Sequence, residues 1–182
     1  MLLNLALTVL GVLAVLVAFV ATRPSSFRVA RGAIVFAPAE VVFTYIEDLH
    51  RWERWSPFER SDPTMTRTYS GARAGVGASV HYAGLKIGEG RMTIVESAPC
   101  ERIRVRAEFI SPFAATNEIE FTLTSVPGGV AVTWAMSGKN SFAGKAISLV
   151  MNMDRTVGDD FERGLADLKR LAENEAHILT VA

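Results

Sequence analysis

Asp154 is the residue whose type and position most invite chemistry. It stands four after Val150 and three before Val157 in a run where apolar side chains recur at three and four, which places a carboxylate inside an apolar helical stripe. An unpaired carboxylate is costly to bury. Two readings follow: a polar anchor or general acid facing a ligand, or a structural carboxylate satisfied by an arginine or by backbone amides. Tyr82 and Asn117 occupy inward positions of alternating runs and could each orient a ligand in an apolar pocket. The plainer reading for both is a strand end near solvent. Trp52 and Trp55, three apart in HRWERWSPFER (residues 50–60), can share one face of a short helical turn that Pro57 ends. They are expected to cap one mouth of a cavity, against the alternative of ordinary packing under a long connection. Met92, Phe121, Trp134, Met136 and Met151 complete the candidate lining, although a filled core would carry the same pattern.

Other chemistries lack their residues. His50, His81 and His177 have no metal-site spacing, and the lone Cys100 cannot complete a thiolate cluster, so no metal and no cofactor is expected. No serine sits in a nucleophile elbow with an identifiable base. The glycines of SGARAGVGAS lie between two strand candidates, where they read as a turn rather than a phosphate cradle. With 19 basic and 19 acidic side chains the net charge is zero, which argues against a nucleic-acid partner. The row Arg102, Arg104 and Arg106 has cross-strand partners in Glu118 and Glu120.

These residues need elements to position them. Residues 1–22 contain no charged side chain and are long enough, at about 1.5 Å per residue, to cross the roughly 30 Å core of a bilayer. The run lacks the basic start and small-x-small end of a cleaved signal peptide, and lacks the polar face of a core helix. A transmembrane anchor is expected. Arg23, Arg28 and Arg31 follow it, so the positive-inside tendency predicts a single-pass membrane protein with its C-terminal domain in the cytoplasm. Residues 23–26 read as a linker, 27–176 as the folded domain and 177–182 as a tail.

Within the domain, 27–36 alternates as a first strand, and Pro38 opens a helix with a stripe of Val41, Val42, Tyr45 and Ile46. Six further strands are predicted at 65–69, 78–82, 90–96, 102–109, 117–125 and 130–137, joined by turn-forming Gly and Pro. Short connections imply an antiparallel meander. A stripe from Ile147 through Val150, Met151, Asp154, Val157 and Phe161 to Leu171 predicts one helix of about seven turns. The expected class is α+β, with a curved antiparallel sheet wrapped around the last helix.

This order and its motifs resemble the SRPBCC or START-like superfamily, and within it bacterial polyketide cyclase/dehydrase-type proteins. The matching residues are Ala37-Pro38-Ala39-Glu40-Val41-Val42-Phe43, Asp48 with Trp55-Ser56-Pro57, Gly88-Glu89-Gly90-Arg91-Met92, Val132-Thr133-Trp134, Met153-Asp154, and Gly158 with Phe161-Glu162-Arg163-Gly164-Leu165. Tyr82 departs from the pattern, where a tryptophan would be expected. The resemblance implies a helix-grip fold with a hydrophobic cavity between sheet and long helix. It implies membrane-anchored binding of a hydrophobic small molecule or lipid, or alternatively a cyclase or dehydratase-like activity. A membrane-tethered structural or partner-binding domain without a ligand is a third expectation.

Overall fold

The computed structural model describes residues 2–147, 149 and 152–181. Helix α1 (Leu2–Ala21) is followed by β1 (Ser26–Val35), α2 (Ala39–Glu47), a 3-10 helix (Leu49–Arg54) and α3 (Pro57–Ser61). Then come β2 (Thr66–Ser70), β3 (Ser79–Gly84), β4 (Gly88–Ala98), β5 (Arg102–Ser111), β6 (Ala115–Val126) and β7 (Gly129–Lys139). The chain closes with α4 (Phe142–Ile147) and α5 (Met153–Val181).

The seven strands form one antiparallel sheet in the order β1-β7-β6-β5-β4-β3-β2. Alternation decides which face is buried. In β5, Ile103, Val105 and Ala107 point into the core, while Arg104 on the opposite face pairs with Glu96 and, at 3.8 Å, with Glu118. The apolar face is covered by α5, whose Phe161, Leu165, Leu168 and Ala172 are fully buried. This is the expected helix-grip arrangement, with two corrections.

The first concerns the N-terminus. Among the described residues, no helix is long and apolar enough to cross a membrane. The transmembrane anchor expected before the grip domain, with the single-pass localisation and membrane partnership built on it, is therefore not supported. At its C-terminal end α1 is tied back to the protein: Val20 is buried, and Lys145 of α4 donates to the Ala21 carbonyl at 3.2 Å. Asn140 likewise donates through its side chain to the Pro24 carbonyl at 3.2 Å.

The second concerns the single helix expected from Ile147 onward, which is two helices. Asn152 caps the second, its Oδ1 accepting from the Arg155 amide at 3.0 Å and satisfying one of the orphan donors of the first turn. In the sequence the apolar spacing of Ile147, Val150, Met151 and Val157 runs on without marking the change. Met151 falls outside the described residues.

The interior is divided unequally. On one side of the grip, aromatic rings fill the space between sheet and helices: Trp134 stacks on Phe161 at 4.1 Å, and meets Trp55 and Phe121 at 5.4 and 5.1 Å. A Cβ at Gly164 would stand 2.7 Å from the Trp134 ring and 2.9 Å from Pro57, so only glycine lets α5 approach that ring so closely. On the other side the packing opens.

Candidate functional site: an apolar cavity within the grip

The open side encloses a cavity of about 520 Å³, within the range that takes a drug-sized ligand. Period-two geometry builds its sheet wall: Val80 and Tyr82 of β3, Met92 of β4, Phe109 of β5, Asn117 and Ile119 of β6 and Met136 of β7 share the inner face. Val157 and Phe161 of α5 face them. The far end is closed by Trp52, Ser56, Phe58, Glu59 and Met65. The open end lies between the β5–β6 turn and the β7–α4 connection, where Phe113, Ala114, Lys139 and Ser141 are exposed.

Few polar groups line this space, and they stand apart. Asn117 is paired across β5 with Ala107, Ala107 with Met92 of β4, and Met92 with Val80 of β3. Asn117 is thus three strands from β3, which carries Tyr82 two residues beyond Val80, with an apolar floor between them. The Asn117 Nδ2 donates to Met136 Sδ at 3.8 Å, and Oδ1 is buried without a partner. Because a thioether sulfur accepts but does not donate, this orientation of the amide is the favourable one. A Cβ at Gly138 would lie 2.1 Å from Oδ1, so the amide occupies room that the glycine leaves.

The Tyr82 ring is packed over Gly90, where a Cβ would stand 2.4 Å from the hydroxyl. Among the described residues no protein group hydrogen-bonds that hydroxyl. Burial, and secondarily the Glu59 carboxylate, push its pKa up to about 12, so the phenol stays neutral. Glu59 itself is pushed upward by burial, with Arg67 opposing. Arg67 grips Glu59 through a short Nε contact and donates to its carbonyl at 3.0 Å, and it also reaches Glu53 at 3.7 Å. Two carboxylates share one guanidinium.

Of the ten residues expected to line a cavity, Trp52, Tyr82, Met92, Asn117 and Met136 are brought together around it. Trp55, Phe121 and Trp134 belong to the packed half and are buried to 1% or less. The two tryptophans do not stand at the open end: their indole N–H groups donate to the Ile46 and Tyr45 carbonyls at 2.9 and 3.0 Å, closing the C-terminus of α2. Asp154, placed by periodicity among the cavity residues, instead projects at the N-terminal end of α5. Its side chain is 64% exposed and accepts from Arg31 at 3.2 Å, and Arg31 also donates to Glu162 at 2.9 Å. Glu59, Ser56, Phe58 and Met65 escaped the sequence reading. The first three sit in a segment without strand alternation, where only the Pro57 helix start hinted that the chain turns inward, and Met65 stands at the edge of a predicted strand.

Among the described residues, no group of three or more His, Cys, Asp or Glu side chains could hold a metal ion. Structures with the same architecture include a protein from Chromobacterium violaceum, 18% identical with a TM-score of 0.58 over 83% of this chain and 99% of that one. The Aha1 dimer from Colwellia psychrerythraea is 15% identical with a TM-score of 0.58, covering 81% of this chain and 96% of that one. The di-domain ARO/CYC StfQ from the steffimycin biosynthetic pathway is 11% identical with a TM-score of 0.60, over 84% of this chain and 52% of that one. At such identities the likeness concerns the fold. No curated protein sequence matches the chain. Residues 26–173 match the family described as polyketide cyclase / dehydrase and lipid transport, and the chain, a helix-grip protein of the SRPBCC/START-like superfamily, belongs to that family.

Proposed function

We propose that the protein binds a hydrophobic small molecule between its sheet and α5. The observation that carries this reading is the 520 Å³ apolar cavity on the inner sheet face, which side chains leave open while the neighbouring half of the same interface is packed with aromatic rings. Native mass spectrometry of the protein, with and without neutral polycyclic probes, tests it. Wild type is expected to retain a probe, and Met92→Trp, which fills the cavity, to lose it while keeping the thermal midpoint. Failure of wild type to retain any probe would refute the reading.

A second reading, a cyclase- or dehydratase-like enzyme, is favoured by the family description and by the presence of two titratable groups, Tyr82 and Glu59, on the cavity wall. Tyr82 is a neutral phenol and Glu59 a carboxyl held above its ordinary range by burial, and such groups can donate or take a proton beside a bound carbonyl. Asp154, exposed and ion-paired, is not placed to take part. If catalysis operates, Glu59→Gln lowers turnover of a polyketide-like substrate more than it lowers ligand affinity. Equal losses in both would leave binding as the function.

A further inference from the structure

The polar groups at the closed end of the cavity define a class of ligand. We propose that the site selects neutral ligands bearing a carbonyl, held by the Tyr82 hydroxyl, over both pure hydrocarbons and carboxylates; this rests on the binding reading above.

The Tyr82 side chain is 6% exposed and lines the cavity, yet among the described residues its hydroxyl has no hydrogen-bond partner. The hydroxyl oxygen is not among the buried unpartnered atoms and so stays open to the cavity; a ligand seated over it displaces water, and a carbonyl replaces that hydrogen bond where a hydrocarbon does not. The phenol is a good donor in a fixed position: the ring rests over Gly90, where any side chain would collide with it. A neutral carbonyl oxygen is the complementary group.

Anions are disfavoured at the same end for a separate reason. Glu59 lines the cavity with its side chain 15% exposed, and its partner Arg67 is shared with Glu53, so the guanidinium is not given over to Glu59 alone. The Glu59 carboxylate reaches Tyr82, whose phenolate it opposes. A ligand carboxylate brought to the phenol would meet the same repulsion with little solvent to screen it. The one lysine on the lining, Lys139, is exposed at the open end of the cavity and is not positioned to offset this.

Equilibrium dialysis of the full chain at pH 7 against three probes of one size tests the proposal. The probes are 2-acetonaphthone, 2-isopropenylnaphthalene (in which CH2 replaces the carbonyl oxygen) and 2-naphthoate. The ketone is expected to bind about tenfold more tightly than its hydrocarbon isostere, the range that one hydrogen bond made or left unmade on binding supports. Naphthoate should be the weakest. In Tyr82→Phe, which keeps the ring and removes no protein hydrogen bond, the ketone preference should fall to about onefold with hydrocarbon binding retained. Equal affinity of ketone and isostere in wild type would overturn the proposal, whatever the variant does. So would a ketone preference that survives in Tyr82→Phe, or naphthoate binding as tightly as the ketone. If the isostere binds and the ketone gains nothing, only the selectivity fails; if no probe binds, the binding reading fails with it.

Discussion

Two glycines on α5 show how differently one missing Cβ can act. At Gly164 an added methyl would meet the Trp134 ring and Pro57, both held by packing, and at Gly158 it would meet the end of the Arg31 guanidinium. Gly164→Ala should therefore cost about 1–3 kcal/mol in urea denaturation, as overpacking does in a filled core. Gly158→Ala should stay within about 0.5 kcal/mol, because the helix gains propensity while Arg31 swings away from exposed ion pairs of small worth. Asp62 contributes to the acid limb. Its carboxylate accepts from the Thr64 hydroxyl at 2.6 Å, from the Thr64 amide at 2.9 Å and from the Lys86 and Ile87 amides at 2.6 and 3.1 Å. These bonds, the Thr64 hydroxyl foremost, hold its pKa well below the usual carboxylate range. A pKa depressed by folding means stability that is present above about pH 4, the unfolded value, and lost as pH falls toward the folded one. Asp62→Asn should accordingly be less stable than wild type at pH 7, with the gap narrowing between pH 4 and pH 2. None of this was legible from residue type alone. Asp62 looks like an ordinary turn residue, and Asp154 looks buried because periodicity marks a face of a helix without saying where the helix leaves the sheet.

At the scale of elements, the 3-10 helix and α2 behave as one unit. The last turn of α2 leaves carbonyls without intrahelical partners, and the indoles of Trp52 and Trp55 supply donors to two of them. Trp55→Phe keeps an aromatic ring but leaves the buried Tyr45 carbonyl unmet, which should cost about 1–3 kcal/mol. Ligand affinity should change less than stability does, since Trp55 does not line the cavity and reaches it only through its packing on Trp52. A large affinity loss at unchanged stability, read by equilibrium dialysis and thermal melting, would place the ring's effect at the ligand instead. The strands were largely legible, because alternation between a wet and a dry face is imposed by the pleat itself. Arg104 against Glu120 and Arg106 against Glu118 sit in register as the pattern required. The break before α5 was not legible. Apolar positions keep helical phase across it, and the Asn152 cap is one residue whose meaning depends on geometry.

For the whole molecule, ligand binding and folding are linked. A molecule that binds only the folded state at 100 times its dissociation constant should add about 2.7 kcal/mol to stability, visible as a concentration-dependent rise in the thermal midpoint. Met92→Trp should show no such rise. The order of elements carried the architecture, since a meander with one apolar face and a long apolar-striped helix has few ways to close. The N-terminal run was read from composition alone, as an anchor, and the described residues do not bear that out. Which part of the grip would be solid and which hollow could not be read, because Trp134 and Met136 lie two apart on one strand and only one of them borders the cavity.

That division has an evolutionary consequence. Trp55, Phe121 and Trp134 hold sheet and helix together without lining the cavity, so substitutions at Tyr82, Met92 or Asn117 can accumulate against a stable background. A protein built this way can drift among ligands while its fold is under little pressure to change, which suits one architecture to many small molecules.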